Sequence, residues 1–184
     1  MHKISKPVNR SDSAAKSSGR AEYISDIFFP DMLHAVIISA GIQRGKITEI
    51  KIPPLPSGYQ TIGASDIKGL NRASIVASDW PFFAEDTVEY FGQPVLAVAG
   101  PDLKTCEEIG SGIKINYEPL PAVSVTEDAS EYFNDYTILK GDPDKCFKNA
   151  ARVFENTYKT GMQEQAYMEP QGMIADYDGD KLTI

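Results

Sequence analysis

Five consecutive apolar residues, Val95-Leu96-Ala97-Val98-Ala99, constrain this chain more than any other feature. The run has no polar face, so it reads as a strand covered on both sides. It is far too short to cross a bilayer. Pro94 has no N–H to give a ladder and marks the first residue of that strand. Behind it, Leu103, Cys106, Ile109 and Ile113 recur at helical spacing. Pro101 suits the first turn of the helix, and Gly110 and Gly112 suit its end. Ile113 to Glu118 then reads as another strand. Strand, Pro-led helix, strand is a compact crossover unit.

Upstream segments extend this unit. Met32 to Ser39, after the Pro30-Asp31 turn, reads as a buried strand. Lys46 to Ile52 sets Ile47, Ile50 and Ile52 against charged neighbours, as a half-buried strand does. Pro53 to Gly58 breaks it, and Ser65 or Asp66 can cap a short helical turn ending at Gly69. A further strand starts at Thr87 and ends before Gly92-Gln93-Pro94. The beginning of the chain, residues 1–18, is basic and Ser-rich without an apolar segment. It reads as a flexible arm and not as a secretory signal.

The length of 184 residues with 42% hydrophobic content allows one sizeable core and part of another. A net charge of −8 is a poor match for phosphate backbones and argues against a nucleic-acid partner. No stretch is long enough for a membrane span. Cys106 falls on the apolar side of the helix as a buried thiol. It shares no Cys-x-x-Cys with Cys146, and His2 and His34 make no metal site alone. These features favour a cytoplasmic protein.

Beyond Leu120 the periodicity fades, and residues 124–140 read as an extended linker. Asp142 then caps a short helix with Pro143 at its first position. Arg152 to Met162 and Gln171 to Tyr177 alternate like strands. The chain closes on DYDGDKLTI, where an Asp-Gly pair between two short runs signals a hairpin. Its acids do not follow a calcium-loop order, because Gly179 precedes Asp180 and no glutamate follows. The last run has barely begun at Ile184, so the expectation is a second domain that is incomplete. Its unpaired edge should be mobile, dock back, or pair between copies.

Two constellations invite a chemical reading. Glu164 and Glu169 are close in sequence, and paired carboxylates can divide acid and base work. Spacing alone does not bring them into one cleft, and solvated acids are the plainer reading. Gln93, in Gly92-Gln93-Pro94, can present its amide to a site, or pair with nearby backbone while Gly92 supplies an unusual backbone angle. No phosphate-cradling glycine loop, Gly-x-Ser-x-Gly or metal-ligand cluster accompanies them. The residues alone give a soluble α+β domain of mixed strands with a packed helix.

Six stretches in order carry a resemblance: Gly19 to Ile27, Asp31 to Ser39, Lys46 to Ile52, Gly63 to Asn71, Val88 to Gly100 and Ile115 to Val123. Together they resemble the large molybdenum-binding subunit of the xanthine dehydrogenase and aldehyde oxidase family, in its N-terminal α/β hammerhead domain. That places the hammerhead at residues 19–123. Residues 141–184 look like the start of the molybdopterin-binding domain. There Gln163-Glu164-Gln165 and Glu169-Pro170 stand where the family commonly carries Gln-Glu-His and a glutamate, often with proline. Gln165 replaces the usual histidine.

The resemblance implies a molybdenum hydroxylase, which adds oxygen from water to a carbon of a purine or aldehyde at a molybdenum-pterin cofactor. It implies iron–sulfur and flavin partners, on other chains or domains. The family's catalytic parts follow later than Ile184 in its order. No catalytic, cofactor-binding or metal-binding residue is therefore expected in this chain, nor any cofactor bound to it alone. It is expected to be the front of a longer subunit, or the product of a split or truncated gene, with Gln93, Gln163 and Glu169 facing the remaining molybdopterin-binding domains. Two rivals stand beside it. One is a stand-alone binding or split-subunit module that complexes with a separate molybdopterin-binding protein. The other is a small hydrolase using Glu164 and Glu169.

Overall fold

The computed structural model describes residues 7–132, 134–167, 169 and 171–184. The first six residues of the expected arm, with His2, and Pro170 lie outside the described residues. In chain order the helices are α1 (Ser13–Ser17), α2 (Leu103–Gly112) and α3 (Pro143–Asn149). The strands are β1 (His34–Ser39), β2 (Gly45–Lys51), β3 (Gln60–Gly63), β4 (Thr87–Val88), β5 (Pro94–Gly100), β6 (Lys114–Pro119), β7 (Asp176–Tyr177) and β8 (Leu182–Thr183). The chain divides into two units, Asp31–Tyr136 and the residues up to Pro30 together with Thr137–Ile184.

In the unit Asp31–Tyr136, β5 is the centre of the first antiparallel sheet, ordered β1-β5-β3. Val98 lies opposite Val36 on one side and Thr61 on the other. Every residue from Val95 to Gly100 is buried, as a run without a polar face requires. Helix α2 lies against β1 and β5, and buries Cys106 and Ile109. Its N-cap is Asp102, whose carboxylate accepts from the Thr105 N–H at 2.8 Å and the Thr105 hydroxyl at 2.7 Å. Pro101 therefore stands before the cap, not in the first turn. The second sheet is ordered β4-β2-β6, and its Ile47, Ile115 and Tyr117 pack on the same core as Val98 and Cys106. Each fully buried aliphatic side chain of this core is worth about 1.5–3 kcal/mol.

Three expectations need correction here, and one strand, β3, had none. The strand from Met32 is not buried throughout: β1 begins at His34 and alternates, with Val36 and Ile38 packed on the core and Ile37 51% exposed, because only one of its faces is covered. Strand β3 carries no clear alternation in sequence and is held by β5. Strand β4 stops at Val88, because Tyr90 to Gln93 turn back toward β5. The crossover joins two sheets and not one. Both edges of β5 are taken by β1 and β3, so β6 pairs with β2 instead.

The other unit is built differently. Within the polar beginning, α1 is framed by Asp12, which pairs with Lys16 at 2.7 Å and Arg10 at 3.1 Å. Helix α3 starts as its sequence predicts: Asp142 accepts from the Lys145 N–H at 3.0 Å, and Pro143 opens the first turn. Strands β7 and β8 pair Asp176 with Thr183 and Tyr177 with Leu182. The turn between them is fastened by Asp178, which accepts from the N–H groups of Lys181 at 2.8 Å and Asp180 at 2.9 Å. These bonds hold its carboxyl below the usual range. The strands expected over Arg152 to Met162 and Gln171 to Tyr177 reduce to β7. Alternation without a neighbouring strand leaves backbone groups unpaired, so the pattern does not become a ladder. Among the described residues from Thr137 onward none is buried, and only Ile174 is half-buried. No helix among the described residues is long and apolar enough to cross a membrane.

Candidate functional site

The turn before β5 shapes one side of a concavity in the Asp31–Tyr136 unit. Gly92 has φ +86°, which a type II turn needs at its third residue, and the Gln93 N–H donates to the Tyr90 carbonyl at 3.2 Å. The turn is pinned to Ala40 on both sides: Gly92 N–H donates to the Ala40 carbonyl, and Ala40 N–H to that of Gln93. Gln93 is 1% exposed. Its Oε1 accepts from the Glu89 N–H at 2.7 Å. The amide thus fixes the loop from within, while the residue still lines the cleft beside it.

That cleft has a volume of about 710 Å³. Its other wall is a loop for which the sequence predicts no element, Arg72 to Glu85. Asn71, 8% exposed, clasps the two ends. Its Nδ2 donates to the Phe83 carbonyl at 2.8 Å and to Glu85 at 3.2 Å, and its Oδ1 accepts from the Phe83 N–H at 3.1 Å. Arg72 and Glu85 form a bidentate pair at 2.7 and 2.9 Å. The Arg72 hydrogen bonds, helped by Asn71, pull the Glu85 carboxyl down to about 2. Trp80 and Tyr90 expose their rings at the cleft. The available signal was compositional: Trp80-Pro81-Phe82-Phe83 between an arginine and an acid, with neither helical nor strand period.

The other expected positions lie in the second unit and do not join this cleft. Gln163 is exposed. Glu164 accepts from the neighbouring Gln165 N–H at 3.1 Å. Glu169 accepts from the Ile24 N–H at 3.3 Å, tying the early chain to the later segment within that unit. No hydrogen bond joins Glu164 to Glu169 among the described residues, and each accepts from a backbone N–H instead. Among the described residues no group of three or more His, Cys, Asp or Glu side chains converges to hold a metal ion directly.

Comparison with known proteins covers both units. The aldehyde oxidase and xanthine dehydrogenase a/b hammerhead domain matches residues 18–121, and a molybdopterin cofactor-binding domain matches residues 125–184. A probable xanthine dehydrogenase subunit of Bacillus subtilis (strain 168) is 30% identical over 192 residues, covering 96% of this chain and 26% of the relative. The nicotinate dehydrogenase large molybdopterin subunit of Eubacterium barkeri is 28% identical, covering 94% of this chain and 44% of the relative. The chain therefore spans less than half the length of these curated relatives. In structure it is similar to quinoline 2-oxidoreductase from Pseudomonas putida 86, with TM-score 0.58 and 24% identity over 67% of this chain and 17% of that one. Aldehyde oxidoreductase from Desulfovibrio gigas gives TM-score 0.56 and 23% identity over 66% and 16%. These two likenesses establish the fold, and the match over residues 18–121 establishes the lineage: the chain belongs to the aldehyde oxidase and xanthine dehydrogenase family and carries its a/b hammerhead domain.

Proposed function

We propose that this chain is the N-terminal portion of a molybdenum hydroxylase of xanthine dehydrogenase type, and that its work is structural. In this reading residues 19–123 are the hammerhead domain, 124–140 the linker, and 141–184 the opening of the molybdopterin-binding domain. One observation carries it. From Thr137 on, the chain has strong local signals but no buried residue among those described, and Ile138, Phe154 and Tyr158 are 94%, 82% and 86% exposed. Such side chains need a partner surface to bury them. The remaining molybdopterin-binding region of a longer subunit is that partner. The relatives' names, a xanthine dehydrogenase subunit and a large molybdopterin subunit, support it.

The molybdenum-pterin group would supply the hydroxylation of a purine or aldehyde carbon in the complete, cytoplasmic enzyme, with iron–sulfur and flavin partners passing electrons on. This chain holds no residue to which a step of that reaction is assigned. Gln163 and Glu169 are the positions we place toward the partner. Gln93 acts from inside, by setting the loop that lines the cleft. The test is co-expression of the tagged chain with the remaining molybdopterin-binding region of a relative. A stoichiometric complex that retains molybdenum, with amide protection appearing over residues 137–184, is expected. A chain that stays uncomplexed, with those amides exchanging as fast as before, would falsify the reading. A complex whose two parts occur as separate chains in native extract would favour the split-subunit form.

A further inference from the structure

We propose that the cleft of the Asp31–Tyr136 unit receives an arginine or lysine side chain from another polypeptide, on the aromatic surfaces of Trp80 and Tyr90 and the carboxylates of Asp79 and Asp86. Four carboxylates line it, Asp79, Glu85, Asp86 and Glu89, against one guanidinium, Arg72. That guanidinium is spent on both oxygens of Glu85. Glu89 is engaged by Arg44 at 2.7 Å. Among the described residues no cation lies within ion-pair distance of Asp79 or Asp86. The site is therefore short of positive charge and repels anions.

Solvated surface acids alone would not make a site. Here they share a concave wall with large aromatic surface, Trp80 at 59% and Tyr90 at 41% exposed. The loop carrying Trp80 is not slack: Asn71 ties its ends, and Ala73 N–H donates to the Trp80 carbonyl at 2.7 Å. Gln93 holds the opposite wall. A preformed concavity with Trp, Tyr and unmatched carboxylates has the chemistry that takes a guanidinium or ammonium, by cation–π contact and ion pairing together. Trp, Tyr and Arg are also the residues that dominate protein interfaces. The inference rests on the reading of this unit as an interface module, and adds the chemistry of what it docks.

Trp80 is the chain's single tryptophan, so its fluorescence reports the cleft directly. The whole chain is titrated with the peptide acetyl-Leu-Arg-Leu-amide, and in parallel with its neutral isostere containing citrulline. The expected result is a saturable change with the arginine peptide, half-complete on the order of one millimolar. The citrulline peptide should bind at least about fivefold more weakly, and salt should weaken the arginine peptide. Asp86→Asn and Asp79→Asn should each weaken it about threefold, with the unfolding midpoint unchanged. Equal binding of the two peptides overturns the inference, since the site would then be merely apolar. So does the absence of any saturable change to about ten millimolar. Either failure leaves the co-expression result standing, because that result is read on residues 137–184.

Discussion

Helices α2 and α3 begin with the same device and end in opposite circumstances. Each is capped by an aspartate, Asp102 or Asp142, that accepts the N–H of the residue three along, Thr105 or Lys145. Each is preceded or opened by proline. Yet α2 buries Cys106 and Ile109 against β1 and β5, while Phe147 of α3 remains 65% exposed. Capping chemistry is local and sets where a helix starts. It does not supply the packing that gives most helices in proteins their stability. What separates the two units is a sheet: one has a central strand paired on both edges, and the other has a two-residue hairpin.

The contrast is easiest to break with a charge. Val98 is fully buried at the centre of β5. Val98→Asp should destabilise the Asp31–Tyr136 unit by more than about 4 kcal/mol, since the carboxylate has no partner there. Phe154→Asp, at a residue 82% exposed, should change stability by no more than about 0.5 kcal/mol. Urea unfolding followed by circular dichroism measures both. A large loss from Phe154→Asp would mean that the second unit has a core of its own, and the comparison would collapse.

Polar groups inside the first unit come next. Gln93→Leu removes the acceptor for the Glu89 N–H and keeps the volume, so it should cost about 1–3 kcal/mol. Asn71→Ala removes the clasp on the loop from Arg72 to Glu85 and should cost a similar amount. The two differ in reach. Asn71→Ala should speed amide exchange of Ala73 and Phe83 first, whereas Gln93→Leu should loosen the turn joined to Ala40. Unchanged exchange at Ala73 in the Asn71 variant would show that the loop is held by other contacts.

How much of this was legible in advance follows the same division. The run from Val95 to Ala99, the helix after it and the Asp142 cap were readable because each rests on a local rule. The pairing of β5 and β6 in separate sheets was not, because sheet membership is settled by which edges are already filled. Strand β3 is held by its partner and not by its own pattern. The cleft depends on Asn71, Arg72 and Glu85, separated by up to 14 residues and joined only by side-chain geometry. Family resemblance identified the kind of domain, but it gave no sign that Gln93 would be buried.

The caps themselves sharpen the comparison. Asp102→Ala should lower the unfolding midpoint of the Asp31–Tyr136 unit by about 5 °C, because α2 is part of its cooperative core. Asp142→Ala should leave that midpoint unmoved and only reduce helicity at α3. Differential scanning calorimetry of the two variants decides it. Equal shifts would mean that α3 unfolds together with the first unit.

Acid supplies the finest test. The folded Glu85 carboxyl is at about 2, against an ordinary value of 4.5, because Arg72 and then Asn71 hydrogen-bond its charged form. A depressed carboxyl contributes stability that is fully present above pH 4.5 and is lost as pH falls toward about 2. Glu85 is 47% exposed, so solvent and salt screen much of that contribution. Glu85→Gln should therefore lower the midpoint slightly at pH 7, and the gap to the unaltered chain should close on going toward pH 2. Asp178 is also held below its usual range, but by the turn of the isolated hairpin. Its protonation should loosen β7 and β8 without moving the midpoint of the first unit. A gap for Glu85→Gln that stays constant from pH 7 to pH 2 would remove the Arg72 pair as its source and leave the Asn71 clasp as what holds the cleft wall.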